Sequence, residues 1–123
     1  MKIISHRGNI KGSIPEKENR PSYIDCAIGN GYDVEIDVRT INGELWLGHD
    51  EPQYKVIHTW LKCWKYQSFC HTSDPYIYTS TGKIWLHDLS MVIDDDVIIP
   101  LIDDPVWSGN SPYAICTDYP ILL

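Results

Sequence analysis

Apolar residues fall in short runs along this chain, and none approaches the ~20 residues of a membrane-spanning helix. Ile3 to Ser5 makes an apolar start that ends in His6-Arg7-Gly8, which predicts a strand running into a glycine turn. Residues 9 to 20 are polar, carry Gly12 and Pro15, and read as a loop. Pro21 suits the first position of a helix, and Tyr23, Ile24, Ala27 and Ile28 recur at helical spacing. Asn30-Gly31 tolerates the left-handed backbone that closes such a helix. Asp33-Val34-Glu35-Ile36-Asp37-Val38 alternates strictly and predicts one strand. Asn42-Gly43 is a tight-hairpin signal, Glu44 to Leu47 is the return strand, and His49-Asp50 lies just beyond it. This order predicts a βαβ unit with a parallel strand pair, extended by a hairpin.

The second half is less regular. Val56 to Leu61 has room for one or two helical turns, and Lys62 to His71 suits either strand or helix. Ile77-Tyr78-Thr79 and Ile84-Trp85-Leu86 predict short strands around Thr81-Gly82. Asp94-Asp95-Asp96 reads as a solvated acidic turn before the apolar run Val97 to Ile99; it lacks the alternating ligand spacing of a calcium loop. Pro100, Pro105 and Pro112 exclude long helices near the end. Tyr113 to Cys116 predicts a last strand, ending in Thr117-Asp118-Tyr119-Pro120. With no internal repeat or linker, residues 1–123 read as a single domain.

Composition narrows the partners. Ten Lys+Arg against seventeen Asp+Glu leave a net charge of -7, so a smooth basic face for nucleic acid is not expected. An anionic substrate would need a local cation. The first six residues turn polar too early for a signal peptide, and Cys26, Cys63, Cys70 and Cys116 form no C-x-x-C pair. Reduced, buried thiols in a cytoplasmic protein are the expectation.

The chemistry lies where polar residues meet strand ends. His6-Arg7 follows the first predicted strand, Glu35 and Asp37 share one face of the next strand in the chain, and His49 follows the hairpin. Two carboxylates on one face repel unless a cation sits between them, and oxygen ligands favour Mg²⁺ or Ca²⁺. Such an ion could polarise a phosphoryl oxygen, Arg7 could grip another, and two histidines could act as acid and base. The set suits metal-assisted cleavage of a small-molecule phosphodiester.

These residues resemble the glycerophosphodiester phosphodiesterase family, whose N-terminal signature runs HRG, PEN, E-x-D, then HD. Here His6-Arg7-Gly8, Glu18-Asn19, Val34-Glu35-Ile36-Asp37-Val38, Asn42-Gly43 and Gly48-His49-Asp50 follow that order and spacing over residues 3 to 51. Ala114 to Pro120 is similar to the family's closing strand and T-D-x-P turn. The resemblance implies an α/β fold of TIM type with its site at the C-terminal strand ends. It implies His6 and His49 as the acid/base pair, Arg7 as a phosphate contact, and Glu35 and Asp37 as ligands for Mg²⁺ or Ca²⁺. Glu18 aligns with the PEN glutamate as a contact to substrate or metal.

A full barrel takes ~250 residues, twice this chain, so an abbreviated or incomplete barrel with short parallel strands is expected. The family's third metal carboxylate, in an E-x-K sequence, has no match between residues 52 and 112. His71, at a strand-end position, is a candidate substrate contact and, with Asp74, Asp88 and Asp118, a candidate to replace that ligand. Asp118 otherwise reads as a turn cap. The alternative to an enzyme is a remnant that binds phosphate or glycerophosphoryl groups. An open barrel exposes strand edges, and a homodimer would close them.

Overall fold

The first strand, β1 (Lys2–His6), lies between the next parallel strand of the chain, β2 (Asp33–Ile36), and the last, β10 (Ala114–Thr117). The computed structural model describes residues 1–57, 59–60, 66–68, 76–78, 82–91 and 93–123, with 66–68 and 76–78 described in backbone alone. Within them, β6 (Tyr66–Ser68), β7 (Tyr76–Tyr78), β8 (Ile84–Leu86) and β9 (Val97–Pro100) complete a seven-stranded sheet in the order β6-β2-β1-β10-β9-β8-β7. Every neighbouring pair is parallel except β7 with β8. Apart from the excursion described next, this order follows the chain around a ring, and the first and last strands meet as in a closed barrel. Among the described residues no pairing joins β6 to β7, so the fold is an incomplete, open TIM-type α/β barrel.

The predicted βαβ unit is present. Helix α1 (Pro21–Gly29) starts on its proline, and Gly31, at φ +92°, ends it. Ile24 and Ala27 bury one helix face against Val34 and Ile36 of β2. The expected single strand over Asp33–Val38 is corrected. It breaks at Asp37, and β3 (Val38–Ile41), β4 (Glu44–Leu47) and β5 (Tyr54–Val56) form a separate antiparallel sheet. Asp37 leaves the strand because its backbone is claimed by others: its N–H donates to Oδ1 of Asn19 and its carbonyl accepts from Gly48. Asn42, at φ +50°, and Gly43, at +78°, make the β3–β4 turn. Val56, expected in a helical turn, ends β5 instead, although Thr59 and Trp60 are helical.

The later strands are buried on both faces, as parallel strands are when both sides are covered. Ala114 and Cys116 pack with Ile4, Ile98 and Trp85, while Ile115 packs with Ile99, Val97, Leu86 and Ile93. The thiol expectation holds for Cys116, which is buried, and fails for Cys26, which is exposed on α1; Cys63 and Cys70 lie outside the described residues. No helix of the described residues is long and apolar enough to cross a membrane.

Candidate functional site at the C-terminal strand ends

Parallel pairing brings three strand ends to one rim. His6 closes β1 and stands in register with Glu35 of β2, while Ser5 is in register with Thr117 of β10, so Asp118 emerges beside His6. Open and closed parallel sheets alike place their sites at this rim.

His6 sits between two carboxylates. Its Nδ1 lies 2.7 Å from Oδ1 of Asp118, and its Nε2 lies 3.6 Å from Oε2 of Glu35. A carboxylate only accepts, so the short bond places the ring proton on Nδ1. The same Asp118 oxygen accepts from Nδ2 of Asn9 at 2.8 Å. Asp118 is buried, and the sequence reading of it as a turn cap is corrected: Thr117 Oγ1 accepts the turn's Tyr119 N–H instead.

Arg7 occupies the left-handed region at φ +55°, an uncommon backbone for a bulky residue. Its N–H donates to the carbonyl of Glu35 and its carbonyl accepts from Asn19, which fixes that geometry. Gly8, at φ +93°, follows it, and a Cβ there would stand 2.7 Å from the Tyr23 ring. The Arg7 guanidinium reaches Glu18 Oε1 at 3.2 Å, Asp37 Oδ2 at 3.1 Å and His49 Nδ1 at 2.7 Å. Burial works against its charge, but Asp37, Glu35 and Glu18 outweigh it and hold the guanidinium above its ordinary basicity. Since Arg can only donate, Nδ1 of His49 accepts, and the neutral ring carries its proton on Nε2. His49 is steadied by Arg39, which donates to the carbonyl oxygens of Gly48, at 2.9 Å, and of His49. Asp37 Oδ1 is 3.4 Å from His49 Nδ1, and Asp37 Oδ2 accepts from Asn19 at 2.8 Å.

Glu35 and Asp37 thus lie between the two histidines, although only Glu35 belongs to a strand. Glu35 is 1% exposed, and its Oε2 accepts no hydrogen bond from the described residues. Burial, and then the neighbouring Asp37 carboxylate, push its pKa well above the ordinary range, with Arg7 acting in the opposite sense. A buried carboxylate oxygen without a hydrogen bond, beside a second carboxylate, fits a divalent cation, which would take the place of the proton that burial favours.

Glu18 is held rather than loose. Burial alone would raise its pKa, but bonds from Ser13 (2.6 Å), Asn9 (2.8 Å) and Arg7 keep it low. A cleft of about 410 Å³ opens here, lined by Arg7, Glu18, Asn19, His49 and the loop through Asp50 and Glu51. His71 and Asp74 lie outside the described residues. Asp88 spends Oδ1 on the N–H and hydroxyl of Ser90 in an exposed loop.

Asp94, Asp95 and Asp96 place carboxylate oxygens within 4.8 Å of one another and could hold a divalent cation; among the described residues no other three ligating side chains gather so closely. They are exposed, as a solvated turn should be. Asp94 accepts the Asp96 N–H, and Asp96 pairs with Lys83 at 2.8 Å. They precede β9, which puts them at the rim opposite His6, Glu35 and Asp118.

The sequence reading gave no role to Asn9 and none of its own to Asn19, both fully enclosed here. For Asn19 a signal existed, since it stands in the Glu18-Asn19 pair; for Asn9 the only hint was its place directly after Gly8. Comparison with protein-family models, curated proteins and solved structures finds no match to this chain.

Proposed function

We propose that the chain is a metal-dependent phosphodiester hydrolase acting on glycerophosphodiesters, with His6 as general base and His49 as general acid. The observation that carries this reading is the opposite partnering of the two Nδ1 atoms, a carboxylate oxygen for His6 and a guanidinium for His49. Asp118 leaves Nε2 of His6 as the basic nitrogen, and Arg7 leaves Nε2 of His49 as the proton donor. In the reaction, His6 Nε2 would take the proton of the attacking hydroxyl, either water or a neighbouring hydroxyl of the substrate. A new P–O bond forms, the bond to the leaving alcohol breaks, and His49 Nε2–H protonates the departing alkoxide. Arg7 would hold a phosphoryl oxygen with its planar fork. When bound by Glu35 and Asp37, Mg²⁺ or Ca²⁺ would add positive charge against the phosphoryl oxygens.

The test is hydrolysis of glycerophosphocholine and glycerophosphoethanolamine, with and without Mg²⁺ or Ca²⁺, beside a His6→Ala control. Metal-dependent release of choline or ethanolamine that the control lacks, with glycerol 3-phosphate if water attacks and a cyclic phosphate if the neighbouring hydroxyl does, supports the proposal; absence of alcohol release from folded protein ends it. One observation favours a second reading, binding without turnover. Among the described residues no third carboxylate joins Glu35 and Asp37 closely enough to complete a ligand set. A cation-induced rise in melting temperature without hydrolysis would favour that reading.

A further inference from the structure

Asn9 is 0% exposed and spends its whole amide on four partners. Its Nδ2 donates to Oδ1 of Asp118 and to Oε2 of Glu18, both at 2.8 Å. Its Oδ1 accepts from the backbone N–H of Ile14 at 3.2 Å and from the hydroxyl of Tyr23 at 3.1 Å. The amide can face only one way. The Ile14 N–H can only donate, so oxygen must lie on that side, and a flipped amide would set oxygen against two carboxylates.

The two carboxylates hold different groups. Asp118 holds the His6 ring, and Glu18 holds the Arg7 guanidinium. One side-chain amide therefore ties the histidine ring to the guanidinium through these two carboxylates. We infer that Asn9 is a positioning residue that sets the His6 ring and the Arg7 fork in one frame. The inference rests on the proposed phosphodiesterase reading for its catalytic consequence, but not for the geometry itself. Asp at this position would be nearly isosteric and would replace both donors by acceptors, bringing a third carboxylate against Asp118 and Glu18. Ala would remove the tie without adding repulsion.

The experiment uses the full chain labelled with ¹⁵N at histidine, with the His6 signals assigned through His6→Gln. In the wild type the His6 ring shows one dominant tautomer with the proton on Nδ1. In Asn9→Ala, and more strongly in Asn9→Asp, the tautomers mix. With glycerophosphocholine and Mg²⁺ or Ca²⁺, kcat falls at least tenfold while KM stays within twofold, and Asn9→Asp is worse than Asn9→Ala. Tyr23→Phe removes only the hydroxyl that seats the amide, spares the packing, and gives a smaller change of the same sign. It keeps the test open if the Asn9 variants fail to fold.

An unchanged His6 spectrum in folded Asn9 variants, or in Tyr23→Phe if those do not fold, overturns the inference. A changed spectrum in a chain that hydrolyses nothing supports the positioning and rejects the phosphodiesterase reading. Equal loss in Asn9→Ala and Asn9→Asp that tracks melting temperature, with the tautomer intact, makes Asn9 a packing residue and also overturns it.

Discussion

His6 and Asp118 stand 112 residues apart in the chain and 2.7 Å apart at the rim of the sheet. The bond does for His6 what a buried carboxylate does for a catalytic histidine generally: it fixes the tautomer and the ring's direction. Asp118→Ala should therefore lower kcat by roughly 10²-fold or more, on the scale of losing an oriented acid or base. Steady-state kinetics beside a thermal melt check this. Activity within a factor of two of wild type would show that His6 needs no partner.

His49 differs in exposure and in its nearest neighbour. It is a third exposed, and its Nδ1 lies 2.7 Å from the Arg7 guanidinium, with Asp37 Oδ1 farther off at 3.4 Å. His49→Ala should abolish turnover while moving the melting temperature by only a few degrees, because little packing is lost. A leaving group that needs no proton, such as p-nitrophenolate, should recover much of the lost rate. Equal loss on both substrates would remove His49 from the acid role.

Glu35 and Asp37 should report a bound cation. At a hundredfold excess over Kd, Mg²⁺ or Ca²⁺ would stabilise the fold by about 2.7 kcal/mol, or on the order of 10 °C for a chain of this size. Calorimetry with and without EDTA should show that rise in the wild type and its loss in Asp37→Asn. If the rise persists there and vanishes in Asp95→Asn instead, the cation belongs to the opposite rim.

Without metal, Glu35 should make the protein less stable as pH increases. Its folded pKa is raised, chiefly by burial, from the ordinary 4.5. Below 4.5 both states hold the proton, and the contribution is fully present. Above it the unfolded chain ionises first, so stability is lost as pH rises towards and through the raised folded value. Glu35→Gln cannot ionise, and its melting temperature in EDTA should gain on the wild type from pH 5 to pH 8. A constant difference across that range would show that Glu35 ionises as it would in water.

Gly48 controls where His49 points. A Cβ there would lie 1.9 Å from the carbonyl oxygen of Glu51, a rigid backbone atom. Gly48→Ala must displace the turn, costing about 1–3 kcal/mol and most of the activity. A variant with wild-type melting and wild-type kcat would mean that the turn shifts freely.

Much of this rim was legible in the chain. Hairpin chemistry at Asn42-Gly43, the proline start of α1 and the polar residues at strand ends each act locally, and local signals survive without a partner in view. What escaped is nonlocal. The alternation through Asp33–Val38 looks like one strand, since side-chain periodicity does not reveal that Asn19 and Gly48 take the backbone of Asp37. Asp118 looks like a turn residue because its partner is a histidine at the other end of the sequence. Asn9 looks like loop filler because its value comes from four groups that only the fold assembles.

The pairing of β1 with β10 also sets a timetable. During synthesis His6 leaves the ribosome 112 residues ahead of Asp118 and waits for it, as does every contact across those two strands. Such a long loop closure is slow, and until it occurs His6 lacks its Asp118 partner. A chain made only as far as β9 thus holds His6 without the carboxylate that fixes its ring, so the order of synthesis is also the order in which the rim is assembled.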